Sequence, residues 1–188
     1  MTPSVETRLR AIAGALEHLI IPALAEANAD PIVQEQASLS LGHLQIIAMQ
    51  LPERDAYHDI CLREQLRTGA ELLACATGGD ATTSAASALY EAMAEAKAHM
   101  ADRSRAKEGR NRVAGAIAQL VIASSMDGDA DYIGASQTVL IDHGLRQSRR
   151  DRAWYKPTGL DPFAADLPSI AELMAEERRA LEQQEARF

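Results

Sequence analysis

The sequence predicts an all-α protein: a helical bundle of about six helices, an extended proline-containing arm near the C-terminus and a last short helix. Apolar residues recur every three or four positions through most of the chain, which is the period of amphipathic helices. β-Branched residues never form an alternating run bounded by turns, so no strand is expected. Aromatic residues make up only 4% of the 188 residues, and a core of small side chains favours closely packed helices.

The clearest pattern, residues 30–51, predicts the central helix of this bundle. Asp30 supplies a carboxylate at the cap position, and Pro31 lacks an N–H that would be unpaired in the first turn. Apolar residues then occupy two opposite sides. The first stripe comprises Val33, Ala37, Leu41, Leu44, Ala48 and Leu51; the second, around Gly42, comprises Ile32, Leu39, Ile46 and Met49. A helix that is apolar on two sides lies between neighbours, so we expect it to be the inner element.

The remaining helices follow from the same periodicity and from breaking residues. A first helix starts at Ser4 and kinks or restarts at Pro22, which removes a backbone donor. Two glycines at residues 78–79 end a helix over residues 53–76, and Thr82 or Thr83 can cap the next one. Beyond it, we expect a break near Gly109. Further helices are expected over residues 113–126 and 130–152.

The C-terminal part reads as an arm followed by a short helix. Residues 156–168 contain three prolines and cannot form a regular helix. Ser169, with Glu172 three residues later, forms a capping box for the last helix. We therefore expect a bundle over residues 1–156 and a packed arm and helix over residues 157–188.

Composition limits the classes of function. A net charge of −8 argues against a general nucleic-acid binder. No apolar run reaches the length of a membrane span, and the N-terminus lacks a secretory signal, so the expected location is the cytoplasm. Cys61 and Cys75 lie fourteen residues apart on one predicted helix. That separation is about 21 Å, too far for a disulfide, so both are expected to be core thiols.

Catalytic motifs are missing from the sequence, which favours a protein that is not an enzyme. There is no GxGxxG, GxxxxGK[ST], GxSxG, CxxC or HExxH pattern. A di-metal carboxylate site in a helical bundle needs Glu-x-x-His on two helices. The nearest patterns are Asp55 with His58, three residues later, and Glu95 with His99, four later. We therefore expect no metal and no cofactor.

Basic residues cluster in two short stretches. Ten of the nineteen lie there: Arg103, Arg105, Lys107, Arg110 and Arg112, and then Arg146, Arg149, Arg150, Arg152 and Lys156. Guanidinium groups suit phosphate oxygens, and the ring of Trp154 could stack on a base. Arg149, Arg150, Arg152 and Trp154 are therefore the candidate residues for binding an anionic ligand. A charged helix face ending in cations, which complement the helix dipole, explains the same pattern without a ligand.

The second stripe of the central helix raises the possibility of self-association. Ile32, Leu39, Ile46 and Met49 could be covered by the chain's own C-terminal helices or by the same stripe of a second copy. Gly42 would let two helices approach closely, and a twofold contact uses one patch twice. The sequence leaves both alternatives open, with a dimer slightly preferred.

Two stretches resemble a known group of proteins. LEHLIIPALAEAN (residues 16–28) and QASLSLGHLQIIAMQL (residues 36–51) are similar to the opening helix pair of small uncharacterised bacterial helical proteins. Those proteins are encoded beside acyl-CoA dehydrogenase and aminoglycoside-phosphotransferase-like proteins. The resemblance covers about the first 75 residues. It implies no site residue, and at most an accessory role near acyl-CoA chemistry.

Together these observations predict a cytoplasmic, dimeric helical bundle that acts as an interaction or accessory protein. The alternative is a ligand-binding or enzymatic bundle that recognises a phosphate-bearing small molecule, such as a nucleotide or acyl-CoA. A transcription regulator ranks last, because it needs a basic recognition helix after a tight turn and the N-terminal helices are not basic.

Overall fold

Helices make up most of the described chain in a computed structural model of the protein, which confirms the all-α class. The structure describes residues 3–98, 100 and 102–185, except for the side chains of residues 103 and 181–185. The helices are α1 (Val5–Ala15), α2 (Ile21–Glu26), α3 (Pro31–Gln50), α4 (Arg54–Cys75), α5 (Asp80–Ala98), α6 (Ala106–Asp127), α7 (Ala130–Tyr155) and α8 (Ile170–Glu185). Within these ranges there is no strand, and no helix has both the length and the apolar character that a membrane crossing requires.

The chain divides into two compact units. The first comprises Met1–Arg54 and Arg152–Glu176, and the second comprises Asp55–Asp151 and Glu177–Phe188. This grouping combines most of the predicted arm with the N-terminal helices. The boundary between bundle and arm at residue 156 stays a prediction.

In the first unit, α1 leads into α2 through a π-helical turn at Leu16–Ile20. The Ser4 hydroxyl caps α1 by accepting a hydrogen bond from the Thr7 amide at 3.2 Å, as predicted. Pro22 lies in the first turn of α2 and has no N–H to donate. The wider π turn before it accommodates the missing hydrogen bond, so the predicted restart at Pro22 is confirmed.

Helix α3 has the predicted ends but not the predicted position. The Asp30 carboxylate accepts a hydrogen bond from the Ile32 amide at 2.8 Å, and Pro31 is the first helical residue. After α3, Pro52 lies in a 3₁₀ turn at Leu51–Glu53. No residue of α3 is buried, so the expectation that it is the inner element is wrong. Its two apolar stripes have too few neighbours within the described chain to enclose it.

The second unit has a core shared by α4, α5, α6 and α7. Its buried members are Leu62, Leu66, Leu72, Leu89, Met93, Ala96, Ala106, Val113, Ile117, Leu120 and Tyr132. Helices α4 and α7 are antiparallel, because hydrogen bonds join Tyr57 to Asp151 near one end and Thr68 to His143 further along. Gly69 permits close packing of α4 on α5: a Cβ there would lie 2.6 Å from the Met93 sulfur.

The two interhelical loops of this unit are bonded to each other. Gly78 and Gly128 form an isolated antiparallel bridge, with the Gly79 amide donating to the Asp127 carbonyl at 2.9 Å. The Asp127 carboxylate caps α5 by accepting from the Ala81 amide at 2.8 Å and the Thr82 hydroxyl at 2.6 Å. The prediction that Thr82 or Thr83 caps this helix is therefore wrong, because a residue from the other loop does so and α5 begins at Asp80.

Helix α6 starts earlier than predicted. It begins at Ala106, and Gly109 lies inside its first turns as a buried residue. The expected break near Gly109 is wrong because the helix continues through this buried glycine. The polar side chains of residues 107–112 lie on a regular helix.

The C-terminal arm and α8 follow the predicted pattern. Two short 3₁₀ turns, Lys156–Thr158 and Ala164–Asp166, interrupt an otherwise irregular segment. The predicted capping box is confirmed: the Ser169 amide donates to the Glu172 carboxylate at 2.8 Å, and the Glu172 amide donates to the Ser169 hydroxyl at 3.3 Å.

We expect Gly78→Ala to destabilise the protein by about 1–3 kcal/mol. The added Cβ would lie 2.8 Å from both the Asp127 carbonyl oxygen and the Gly128 Cα, which are backbone atoms of the opposite loop. Gly115→Ala is the control, because its Cβ would meet nothing within 4 Å. That change in a helix interior should stabilise by about 0.5–1 kcal/mol. Urea unfolding measures both; equal midpoints for the two variants would contradict the loop contact.

Candidate functional site

The N-terminal helices leave much of their apolar surface uncovered. None of α1, α2 and α3 contains a buried residue. Their exposed large apolar residues, which we call the hairpin face, are Val5, Ile12, Leu19, Ile20, Ile32, Val33, Leu39, Ile47 and Met49. Those of α3 include residues of both of its stripes, Val33 on the first and Ile32, Leu39 and Met49 on the second, and exposed apolar surface can mark a site of interaction. The hairpin face is therefore the candidate interaction site.

Some of the exposed residues of this hairpin lie seven positions apart. They are Val5 and Ile12 on α1, followed by Leu19 in the π-helical turn after it. On α3, Ile32 and Leu39 are exposed and Ile46, seven further on, is half-buried. A seven-residue repeat is the pattern of helices that pair side by side. Val5, Ile12 and Leu19 were not singled out from the sequence as interaction residues; their spacing of seven was the signal that could have found them.

Both stripes of α3 contain exposed and half-buried residues. On the first stripe Leu44 is half-buried and Val33 is 48% exposed. On the second stripe, Ile32 is 67% exposed, Leu39 48% and Met49 49%. One of the two predicted alternatives required the chain's own C-terminal helices to cover the second stripe. The described part of the chain does not cover these three residues.

Gly42 leaves an open space on the same side of α3. A Cβ built at this residue would meet no atom within 4 Å. The glycine is therefore not required by packing inside the described chain. An approaching helix could come closer to the backbone here than at any position carrying a side chain.

In the first unit, the structure places two of the predicted ligand-binding residues. Arg152 binds Asp161 through two hydrogen bonds, from Nε at 2.7 Å and from Nη2 at 3.2 Å. The hydrogen bond with Arg152 lowers the pKa of Asp161, which also accepts from the Phe163 amide at 2.8 Å. Trp154 is buried, with 6% of its surface exposed. Arg152 is thus hydrogen-bonded to Asp161 of the arm, and the buried ring of Trp154 is not accessible to a base that could stack on it.

The second unit contains the other two predicted ligand-binding residues, Arg149 and Arg150. Arg149 is exposed. Arg150 is 3% exposed; its Nε donates to the Glu177 carboxylate at 3.0 Å, and its Nη1 donates to Gln147 at 2.9 Å. An anionic ligand at Arg150 would have to replace Glu177. The anion site stays a prediction, and the geometry gives it no preformed cluster of open cations within this unit.

The first basic stretch is also paired with acidic groups of the chain. Arg105 forms an ion pair with Glu108 at 3.3 Å, and Arg112 forms one with Glu95. These are exposed helix-face pairs, as the interpretation without a ligand predicts. The side chain of Arg103 lies outside the described residues.

Polar side chains line the junction of α4 and α7, and we call them the polar seam. Tyr57 donates a hydrogen bond to Asp151, which also accepts from Gln147 at 2.7 Å. Arg146 pairs with Glu64 at 3.0 Å, and Arg150 completes the network. Burial raises the pKa of the Tyr57 hydroxyl. Sequence reasoning missed the polar seam because its residues resemble an exposed helix face until their partners, some eighty to ninety positions away, are known.

His143 occupies the polar seam in a defined neutral form. The Thr68 hydroxyl donates to the Glu64 carbonyl at 2.9 Å, so its oxygen must accept from His143 Nδ1 at 2.9 Å. His143 Nε2 is then the acceptor for the Gln65 amide at 3.3 Å. Burial lowers the pKa of His143, in keeping with these bonds. The seam therefore holds a neutral imidazole, which makes it a structural network that titrates in acid.

A groove of about 380 Å³ lies at the end of α4 and the start of α5. Its lining includes Leu73, Ala76, Thr83, Ser87, Tyr90 and Glu91. Tyr90 and Glu91 are exposed. The buried Thr82 also lines the groove, but its hydroxyl donates to the Asp127 carboxylate at 2.6 Å. Small-molecule sites use several converging polar groups for orientation.

Metal-binding groups do not converge in the described part of the chain. No group of three or more His, Cys, Asp or Glu residues there is placed to hold an ion. His99, from one of the two predicted pairs, lies outside the described residues. Cys61 is buried and Cys75 half-buried, and both are free thiols.

Comparison of the chain with protein-family models, curated proteins and solved structures finds no match. Its function is therefore argued from the geometry above.

We expect stability to fall as the pH drops below about 6.5, the pKa of an unperturbed histidine. The folded state has a lowered His143 pKa, so the unfolded chain binds the proton more readily and acid favours unfolding. The charged groups around the ring are Glu64, Glu71, Arg146 and Arg150. A His143→Gln variant cannot take up this proton and should lose less stability between pH 7.5 and pH 5.5. Identical pH dependence of the urea midpoints would contradict this assignment.

We expect Arg150→Ala to cost about 3–5 kcal/mol, because it leaves the carboxylate of Glu177 without its buried partner. Arg105→Ala is the matched control. Its ion pair with Glu108 joins side chains that are 51% and 54% exposed, so the loss should be at most about 1 kcal/mol. Thermal unfolding of both variants tests the difference, and a similar small shift for each would show that the buried pair contributes little.

Proposed function

We propose that this protein is an interaction or accessory protein that works as a homodimer through Ile32, Leu39, Ile46 and Met49 of α3. The observation that carries the proposal is the hairpin face: two long helices without a buried residue, bearing exposed apolar side chains at a spacing of seven. Burying such side chains is worth about 25 cal/mol for each Å² of apolar surface. Association of two copies would bury these side chains and gain this free energy.

A second copy of the chain is the partner that suits this surface. A twofold contact uses the same patch on both copies, so one apolar row serves both sides. Helix α3 carries one carboxylate, Glu35, and no Lys or Arg over its twenty residues. Interface cores are depleted of charged residues in the same way.

We also propose a cellular location and a biochemical context for the protein. Two free thiols are typical of a reducing compartment, which supports a cytoplasmic location. The resemblance of residues 16–51 to helical proteins encoded beside acyl-CoA dehydrogenases favours an accessory role near acyl-CoA chemistry. A phosphate-bearing ligand of the protein itself is less well supported, since Arg150 and Arg152 already bind carboxylates.

We expect Leu39→Asp to produce a folded monomer. Leu39 is 48% exposed in the single chain, so a carboxylate there is solvated, whereas in a twofold contact it would be desolvated near its symmetry mate. Light scattering measures the mass, and far-ultraviolet circular dichroism confirms the fold. Leu44→Ala is the control. Leu44 is half-buried, so the variant should lose about 1–2 kcal/mol in free energy of unfolding and melt at a lower temperature, while it keeps the wild-type mass.

Wild-type protein that is monomeric at micromolar concentration, with a melting point independent of concentration, would rule out the proposed dimer. A dimer that persists in Leu39→Asp would move the contact away from the second stripe of α3.

A further inference from the structure

We draw no further inference here: the strongest candidate, the groove at the end of α4 and the start of α5, has its buried Thr82 hydroxyl already bonded to Asp127, and nothing in the described part of the chain shows what would occupy it.

Discussion

The uncovered apolar surface of the N-terminal hairpin is the constraint on which our account of this protein depends. Helices of eleven and twenty residues are marginal in water by propensity alone and need packing of an apolar side to persist. Here α1 and α3 pack on each other, yet neither buries a single residue. Their remaining exposed apolar side chains form the surface that we propose a second copy covers.

The second unit has a buried core of its own, although Ile122, Met126, Ile141 and Leu145 on its helices are also exposed. Its core contains fully buried Leu62, Leu72, Leu89 and Leu120, and the Asp127 carboxylate ties one interhelical loop to the start of α5. Arg150, 3% exposed and paired with Glu177, fixes the polar side of the unit. Buried ion pairs of this kind contribute little net stability compared with apolar residues, but leaving either partner unpaired is costly. The second unit thus has a closed core, whereas α1 and α3 pack on each other without burying a residue.

Local signals predicted local structure well. The helical class and the caps at Ser4, Asp30 and Ser169 follow from short-range patterns, because each depends on residues within one turn. What depends on distant residues was not predictable. Asp127 caps a helix that starts 47 positions earlier, and the partners of Arg150 come from α4 and α8. The apolar pattern of α3 predicted an inner helix, but periodicity does not say whether neighbours in the chain enclose it, and α3 contains no buried residue.

The most direct test of the central claim is amide hydrogen exchange measured over a dilution series. Exchange reports local opening, so a helix stabilised by a second copy should lose protection as the dimer dissociates. Our account predicts that amides of α1 and α3 exchange faster on dilution, while those of α5 and α6 are unchanged. Protection of α1 and α3 that stays the same at every concentration would contradict it.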